Sequence, residues 1–356
     1  MNSISEKQVL DALSHVEEPD LKKDLVTLNM IQNIVIDNNS ISFSVILTTP
    51  ACPLKDMIEQ ACRNAIAHFI DKSVQVHIQM TAKVTGKPSD SLQHIKNIVL
   101  VSSGKGGVGK STVSVNLALA LAQSGAQVGL IDADIYGPSI PTMLDLLEAR
   151  PQSVTLADGK HRIVPIEKYG IKILSLGFFA SPSQPVPWRG PMASTAIKQL
   201  FNDAEWGELD YLIVDLPPGT GDIHITVTQS FTIAGAVIVT TPQKVALADA
   251  RKGLGMFQMP SINVPVLGVV ENMSYFTPDE LPNKKYYLFG KDGGRQLSEE
   301  FGVPFLGEIP LDPQIGVSGD VGKPIALEQS NILMAAFQQI AQHVAQQLSI
   351  QNAVSV

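Results

Sequence analysis

Between a short apolar run, Ile98–Ser102, and a helical run reading SVNLALALAQ, the chain carries Gly104-Lys105-Gly106-Gly107-Val108-Gly109-Lys110-Ser111-Thr112. This matches G-x-x-x-x-G-K-[ST] with a strand before it and a helix after it, the context in which such a loop cradles phosphate. The chemistry explains the spacing. Glycines let the loop wrap with its backbone N–H groups turned inward, so that they and the following helix N-terminus offer dipoles to phosphate oxygens. Lys110 is placed to reach the β- and γ-phosphates, and the Ser111 hydroxyl to ligate Mg²⁺. Lys105 departs from the generic loop. A side chain there does not easily point at its own subunit's phosphates, but a second subunit facing the site would present it in trans; a plain exposed lysine is the alternative.

The loop belongs to a recurring pattern. From Ile95 onward, helical segments alternate with apolar runs at Ile98–Ser102, Gln127–Asp132, Ile173–Leu176, Tyr211–Asp215, Ala236–Thr240, Val266–Glu271 and Phe305–Ile309. Continuous rather than alternating apolar runs suit strands buried on both faces, which predicts an α/β fold with a doubly wound, mostly parallel sheet and functional loops at the strands' carboxyl ends. The first 80 or so of the 356 residues read differently: helix at Val9–Val16, strands at Met30–Asp37 and Ser40–Leu47 joined at Asn38-Asn39, helix at Met57–Phe69, strand at Val74–Met80. That is a small α+β unit. The polar stretch KVTGKPSDSLQH has no periodicity, so the expected organisation is a small domain at 1–82, a linker at 83–94 and a phosphate-binding domain at 95–350. Two domains also suit the length and the 44% hydrophobic content.

Two further strand ends carry carboxylates. Tyr211-Leu212-Ile213-Val214-Asp215 ends one run and is followed by Leu216-Pro217-Pro218-Gly219-Thr220-Gly221-Asp222; Asp132-Ala133-Asp134 ends another. An apolar run closing on Asp suits a contact to Mg²⁺ or its bound water, so Asp215 is the candidate. Asp134 is placed to orient an attacking water, and a turn or helix cap is the alternative for either aspartate. Pro217-Pro218-Gly219 reads as a switch loop near the γ-phosphate.

Charge and cysteine content narrow the partners. Lys plus Arg number 26 against 34 Asp plus Glu, a net charge of −8 without a basic run, so neither nucleic acid nor an anionic membrane is an expected partner. No basic n-region precedes an apolar core at the N-terminus, and no window approaches a membrane-spanning length; a cytoplasmic location is expected. The helix expected at about 331–349 places Ile332, Phe337, Ile340, Val344 and Leu348 on one stripe, suited to packing on the sheet. The chain has only two cysteines, Cys52 and Cys62, which rules out a disulfide framework.

At this point a resemblance emerges. GKGGVGKST with its extra Lys105, DADIYGPSIP and DLPPGTGD together resemble the deviant-Walker-A ATPases, the MinD/ParA/nitrogenase-iron-protein superfamily. DADIYGPS, PWRGPM at Pro187–Met192, TTPQ at Thr240–Gln243 and ENMSYF at Glu271–Phe276 are most similar to Mrp-type iron–sulfur cluster carriers, and EEPDLKKDLVTL with TTPACPL resembles the cluster-assembly domain fused to them. The resemblance implies an ATP-hydrolysing homodimer in which Lys105 acts across the interface, Asn272 near the adenine, and an iron–sulfur cluster passed to apo iron–sulfur proteins. Asn272 at a strand end also suits a turn residue.

One departure is large. The family usually places C-x-x-C between the ENM strand and the FG-containing turn, so that two subunits supply four thiolates to a [4Fe–4S] cluster. Here Ser274–Gly290 holds no cysteine, nor does the rest of the large domain. Cys52 precedes the helix expected near Leu54, a position that generally lowers a thiol's pKa and favours a metal-binding or redox thiolate, which makes Cys52 the candidate iron–sulfur ligand, while a small buried hydrophobe in a turn is the alternative. Cys62 reads as a mid-helix core residue. A metal-free positioning or adaptor ATPase like MinD or ParA therefore stands as the second reading, and a metabolic P-loop enzyme of the dethiobiotin synthetase type as a third without specific support.

Overall fold

The computed structural model describes residues 4–155, 159, 161–179, 190–328 and 332–354. Its chain divides into two units, one running to Thr85 and including the carboxyl end from Ala345, the other spanning Gly86–Val344. In the first unit, helix Glu6–Leu13 starts at a capping box, in which Ser5 and Gln8 exchange hydrogen bonds. Strands Ile31–Asp37 and Ser40–Leu47 form an antiparallel pair turned at Asn38, whose φ of 50° is one asparagine tolerates. The crossover helix Lys55–Phe69 then leads to Gln75–Ala82, which pairs parallel with Ser40–Leu47. Period-2 alternation sorts this sheet: Ile41, Phe43 and Val45 face Val9, Leu13, Ile58 and Ile66, and the other face carries Ser42, His77 and Gln79.

The second unit holds an eight-stranded sheet. From one edge its order is Ile166–Lys168, Ile171–Ser175, Val128–Asp132, Leu209–Asp215, Ile95–Ser102, Gly235–Thr240, Val266–Glu271 and Phe305–Glu308, and every neighbouring pair is parallel except the first. The apolar runs became the parallel strands with end shifts of a few residues. The antiparallel edge Ile166–Lys168 and the antiparallel pair Gln152–Thr155/His161–Val164 were not expected, because short exposed or half-exposed strands lack a continuous apolar run. In helix Ile332–Val354, Phe337, Ile340, Val344 and Leu348 are buried as expected, but Ile332 is 85% exposed and Leu333 takes its place. Of the Pro187–Met192 motif, Pro187, Trp188 and Arg189 lie outside the described residues, as does Asn331. Among the described residues no helix is long and apolar enough to cross a membrane.

This topology lines up Ser102, Asp132, Ser175, Asp215, Thr240 and Glu271, all buried, along one carboxyl edge of the sheet. A buried histidine sits behind that edge. His224, in helix Asp222–Ser230, has Nε2 3.3 Å from Ser102 Oγ, while its Nδ1 has no hydrogen-bond partner among the described residues. Burial, with the Lys110 charge adding to it, pushes its pKa from 6.5 down to about 4. The fold therefore prefers the neutral ring, whereas the unfolded chain takes up the proton once pH falls below 6.5. The stability this contributes is present above pH 6.5 and lost as pH falls toward 4. Between pH 7 and pH 4, urea unfolding should cost the wild type about 3 kcal/mol more stability than His224→Gln, whereas parallel pH profiles would contradict the assignment.

Candidate nucleotide site

The glycine-rich loop connects strand Ile95–Ser102 to helix Lys110–Gln123. Two of its glycines are dictated by geometry. A Cβ at Gly104 would stand 2.1 Å from the Asp249 backbone carbon, and Gly109 has φ +81° with the Asn272 amide packed where its Cβ would be. No side chain caps the helix at Gly109, which leaves its first-turn N–H groups without a side-chain acceptor, as an anion-binding helix start requires.

Lys110, Ser111 and Asp215 meet at the helix start. Lys110 Nζ lies 2.7 Å from Asp215 Oδ1, Ser111 Oγ donates to Asp215 Oδ2 at 2.6 Å, and Ser114 Oγ donates to Oδ1 at 2.6 Å. Asp215 is wholly buried and Lys110 is 6% exposed, so the pair is a desolvated one whose remaining carboxylate lone pairs are satisfied by hydroxyls. A cavity of about 210 Å³ opens beside it, lined among others by Lys105, Gly107, Lys110, Ser111, Asp134 and Pro218. Lys105 is half-buried there and pairs with no carboxylate among the described residues; its backbone oxygen accepts from Ser103 Oγ at 3.0 Å. Gly106 is exposed, and Val108 is buried under the loop.

Asp134 stands on the far wall, its Oδ1 accepting from Gly137 N at 3.3 Å. Burial raises its carboxyl above the ordinary range, with Lys110 opposing and Asp215 reinforcing the rise. Gly219 N donates to Ser103 O at 2.9 Å, which ties the Pro217-Pro218-Gly219 segment to the loop. Asn272 donates through Nδ2 to Val108 O at 2.8 Å. It lines a second, larger cavity of about 500 Å³ with Gly109, Thr112, Phe276, Leu288 and Pro310. Gly109 and Thr112 line both cavities, so a small chamber that carries Lys105, Lys110 and Asp134 and a larger, mostly apolar one adjoin at the loop, a shape suited to a phosphate chain ending in a flat base.

Sequence reasoning passed over Asp132. It pairs with Asp215 across neighbouring strands and is fully buried; burial and the Asp215 charge push its carboxyl up, while Lys110 and hydrogen bonds from Ser175 and the Ile140 N–H pull it back. The available signal was its place at a strand end, two residues before Asp134.

The interval Ser274–Gly290 takes a different role from the one the resemblance assigns it. Phe276 bridges to Tyr286 by paired backbone bonds, Lys285 Nζ sits 3.6 Å above the Tyr275 ring and 3.0 Å from Glu308, and Phe276 and Leu288 wall the larger cavity. Both cysteines lie in the first unit. Cys52 is half-buried before helix Lys55–Phe69, and the lowered thiol expected there is not found: burial pushes it up, Glu18 and Asp20 push it further, and the Leu54 backbone N–H only partly opposes. Cys62 is fully buried, with burial driving its thiol to about 12. Among the described residues, no cluster of three or more His, Cys, Asp or Glu side chains is arranged to hold a metal.

Known proteins share this arrangement. A family profile described as the NUBPL iron-transfer P-loop NTPase matches residues 94–345, and one described as an iron-sulfur cluster assembly protein matches residues 6–82. An iron-sulfur cluster carrier protein of Synechocystis sp. is 49% identical over 347 residues, covering 96% of this chain and 97% of that protein. Its counterpart in Deinococcus radiodurans is 46% identical over 345 residues, covering 97% and 96%. A nucleotide-binding protein from Archaeoglobus fulgidus, solved in complex with ADP and with cobalt, is 36% identical over 66% of this chain and 89% of its own, with a TM-score of 0.57. With the loop, its aspartate partners and these matches along nearly its whole length, the chain belongs to the family of NUBPL iron-transfer P-loop NTPases.

Proposed function

We propose that the chain binds and hydrolyses Mg²⁺-ATP as a nucleotide-switched homodimer and that this cycle drives the carriage of an iron–sulfur cluster to apo iron–sulfur proteins. The observation that carries the nucleotide half is the convergence of Lys110, Ser111 and Asp215 beside two adjoining cavities. The cargo half rests on the relatives, which are named iron-sulfur cluster carrier proteins.

The site's residues divide the work. Loop N–H groups from Gly104 to Thr112 and Lys110 bind the phosphates, and Lys110 exchanges its contact with Asp215 for one with phosphate oxygens. Ser111 Oγ and Asp215 are hard oxygen donors already in contact, a donor set that fits Mg²⁺. When bound, that ion neutralises charge on the β- and γ-phosphates. Asn272 and the apolar walls at Phe276 and Leu288 receive the adenine. Asp134 orients a water toward the γ-phosphorus; the bond to the bridging oxygen breaks, leaving ADP and phosphate. Lys105 of each subunit reaches the partner's phosphates, which couples closure of the dimer to ATP and its opening to hydrolysis.

The cluster's ligands include Cys52, and the remainder come from the second subunit, from non-cysteine side chains or from a partner's thiols. The absence of cysteine from the large unit favours a second reading, a metal-free adaptor ATPase in the manner of MinD or ParA.

Two experiments test the proposal. Lys110→Ala is expected to lose ATP binding, while Lys105→Ala keeps binding within about threefold and loses turnover or ATP-dependent dimerisation, read by calorimetry, phosphate release and light scattering. Full turnover and dimerisation in Lys105→Ala would refute the role in trans. Anaerobic reconstitution should load iron and sulfide onto the wild type and markedly less onto Cys52→Ser, read by iron quantification and absorbance. A wild type that takes up no cluster would favour the adaptor reading.

A further inference from the structure

Asp132 has no part in the chemistry proposed above and lines neither cavity, yet three backbone or hydroxyl donors from three segments converge on it. Asp134 N donates to its Oδ1 at 3.2 Å from the turn that follows the strand. Ile140 N, at the start of the short helix Ile140–Met143, donates to Oδ2 at 3.2 Å, and Ser175 Oγ, at the end of the neighbouring strand, donates to Oδ2 at 3.0 Å. Ser175 Oγ in turn accepts from Gly177 N at 3.0 Å, and Gly177 packs against Pro138. The carboxylate thus fastens both ends of the segment 134–140 and joins it to the adjacent strand.

Little else polar holds that segment. Tyr136 is 75% exposed, and the Gly137 contact to Asp134 lies within the turn itself. Ile135 and Ile140 are buried and give the segment apolar anchorage, but anchorage of that kind leaves the direction of Asp134 loosely set. Three donors aimed at its two oxygens favour the ionised carboxylate and work against the upward push of burial and Asp215. An asparagine, equal in size, would turn its NH₂ group either to the Asp134 N–H or to the Ile140 N–H, donor against donor.

We infer that Asp132 is a positioning residue for hydrolysis: its carboxylate holds the segment 134–140 so that Asp134 faces the phosphate cavity. The inference rests on the ATPase reading, and the test separates the two. In the full chain, steady-state hydrolysis, Mg²⁺-ATP binding and amide hydrogen exchange are measured for the wild type, Asp132→Asn and Ser175→Ala. Asp132→Asn is expected to lower kcat by about tenfold or more while ATP affinity stays within about twofold, and to speed exchange at the Asp134 and Ile140 amides. Ser175→Ala, which removes one of the three donors, should lower kcat by about two- to fivefold. A role confined to stability would move the melting temperature and leave the split between kcat and affinity untouched. Wild-type kcat in Asp132→Asn, or a loss of affinity equal to the loss of kcat, would overturn the inference. Should Asp132→Asn fail to fold, wild-type kcat in Ser175→Ala overturns it instead. A wild type that does not hydrolyse ATP sinks the ATPase reading, and unchanged exchange at Asp134 and Ile140 then overturns the positioning role on its own.

Discussion

A lysine and an aspartate 2.7 Å apart, the one 6% exposed and the other fully buried, set the terms for the large unit. Stripping water from two opposite charges costs several kcal/mol per ion unless geometry and hydrogen bonding restore it. Here restoration comes from Ser111 and Ser114, both on the first turns of the helix that Lys110 begins. The strand ending at Asp215 must lie directly beside the strand that feeds the loop, and it does: Asp215 is in register with Val101. The parallel order of the sheet is therefore the means by which a carboxylate more than 100 residues away in sequence is delivered to the loop. The same pair is expected to part when phosphate arrives, because the lysine then has a stronger anionic partner.

The other side of the loop is built on apolar packing. Asn272 fixes the loop through Val108 O, and the segment after it folds back so that Phe276 and Leu288 wall the larger cavity. In the pattern the chain resembles, that segment carries thiolates. Here it carries tyrosines, lysines and leucine, and its cation–aromatic contacts at Lys285 and Tyr275 hold it against Glu308. This stretch walls the larger cavity, so any thiolate that the chain itself supplies comes from the small unit, where Cys52 is half-buried and Cys62 buried.

How much of this was legible depends on whether the information was local. The loop, the strand before it and the helix after it are contiguous, and Ser40–Leu47 and Val266–Glu271 could be bounded to the residue because alternating or unbroken apolar runs mark them directly. Edge strands such as Ile166–Lys168 are short and half-wet and leave no such mark. Asp215 was readable as an aspartate closing an apolar run. Asp132 closes a run just as clearly, but its importance lies in donors from Ile140 and Ser175, which only the folded chain brings together. Cys52 shows the opposite failure: a helix start is a local cue for an acidic thiol, and burial beside Glu18 and Asp20 overrides it.

The central claim is that Asp215, paired with Lys110 before nucleotide arrives, passes to the metal of a Mg²⁺-nucleotide complex, and Mg²⁺ dependence measured in Asp215→Asn tests it most directly. Wild-type ATP hydrolysis should rise steeply with Mg²⁺, while Asp215→Asn, nearly equal in size, should still bind ATP yet lose at least about a hundredfold in turnover at saturating Mg²⁺. Turnover by Asp215→Asn at the wild-type rate, with the same Mg²⁺ dependence, would contradict the account.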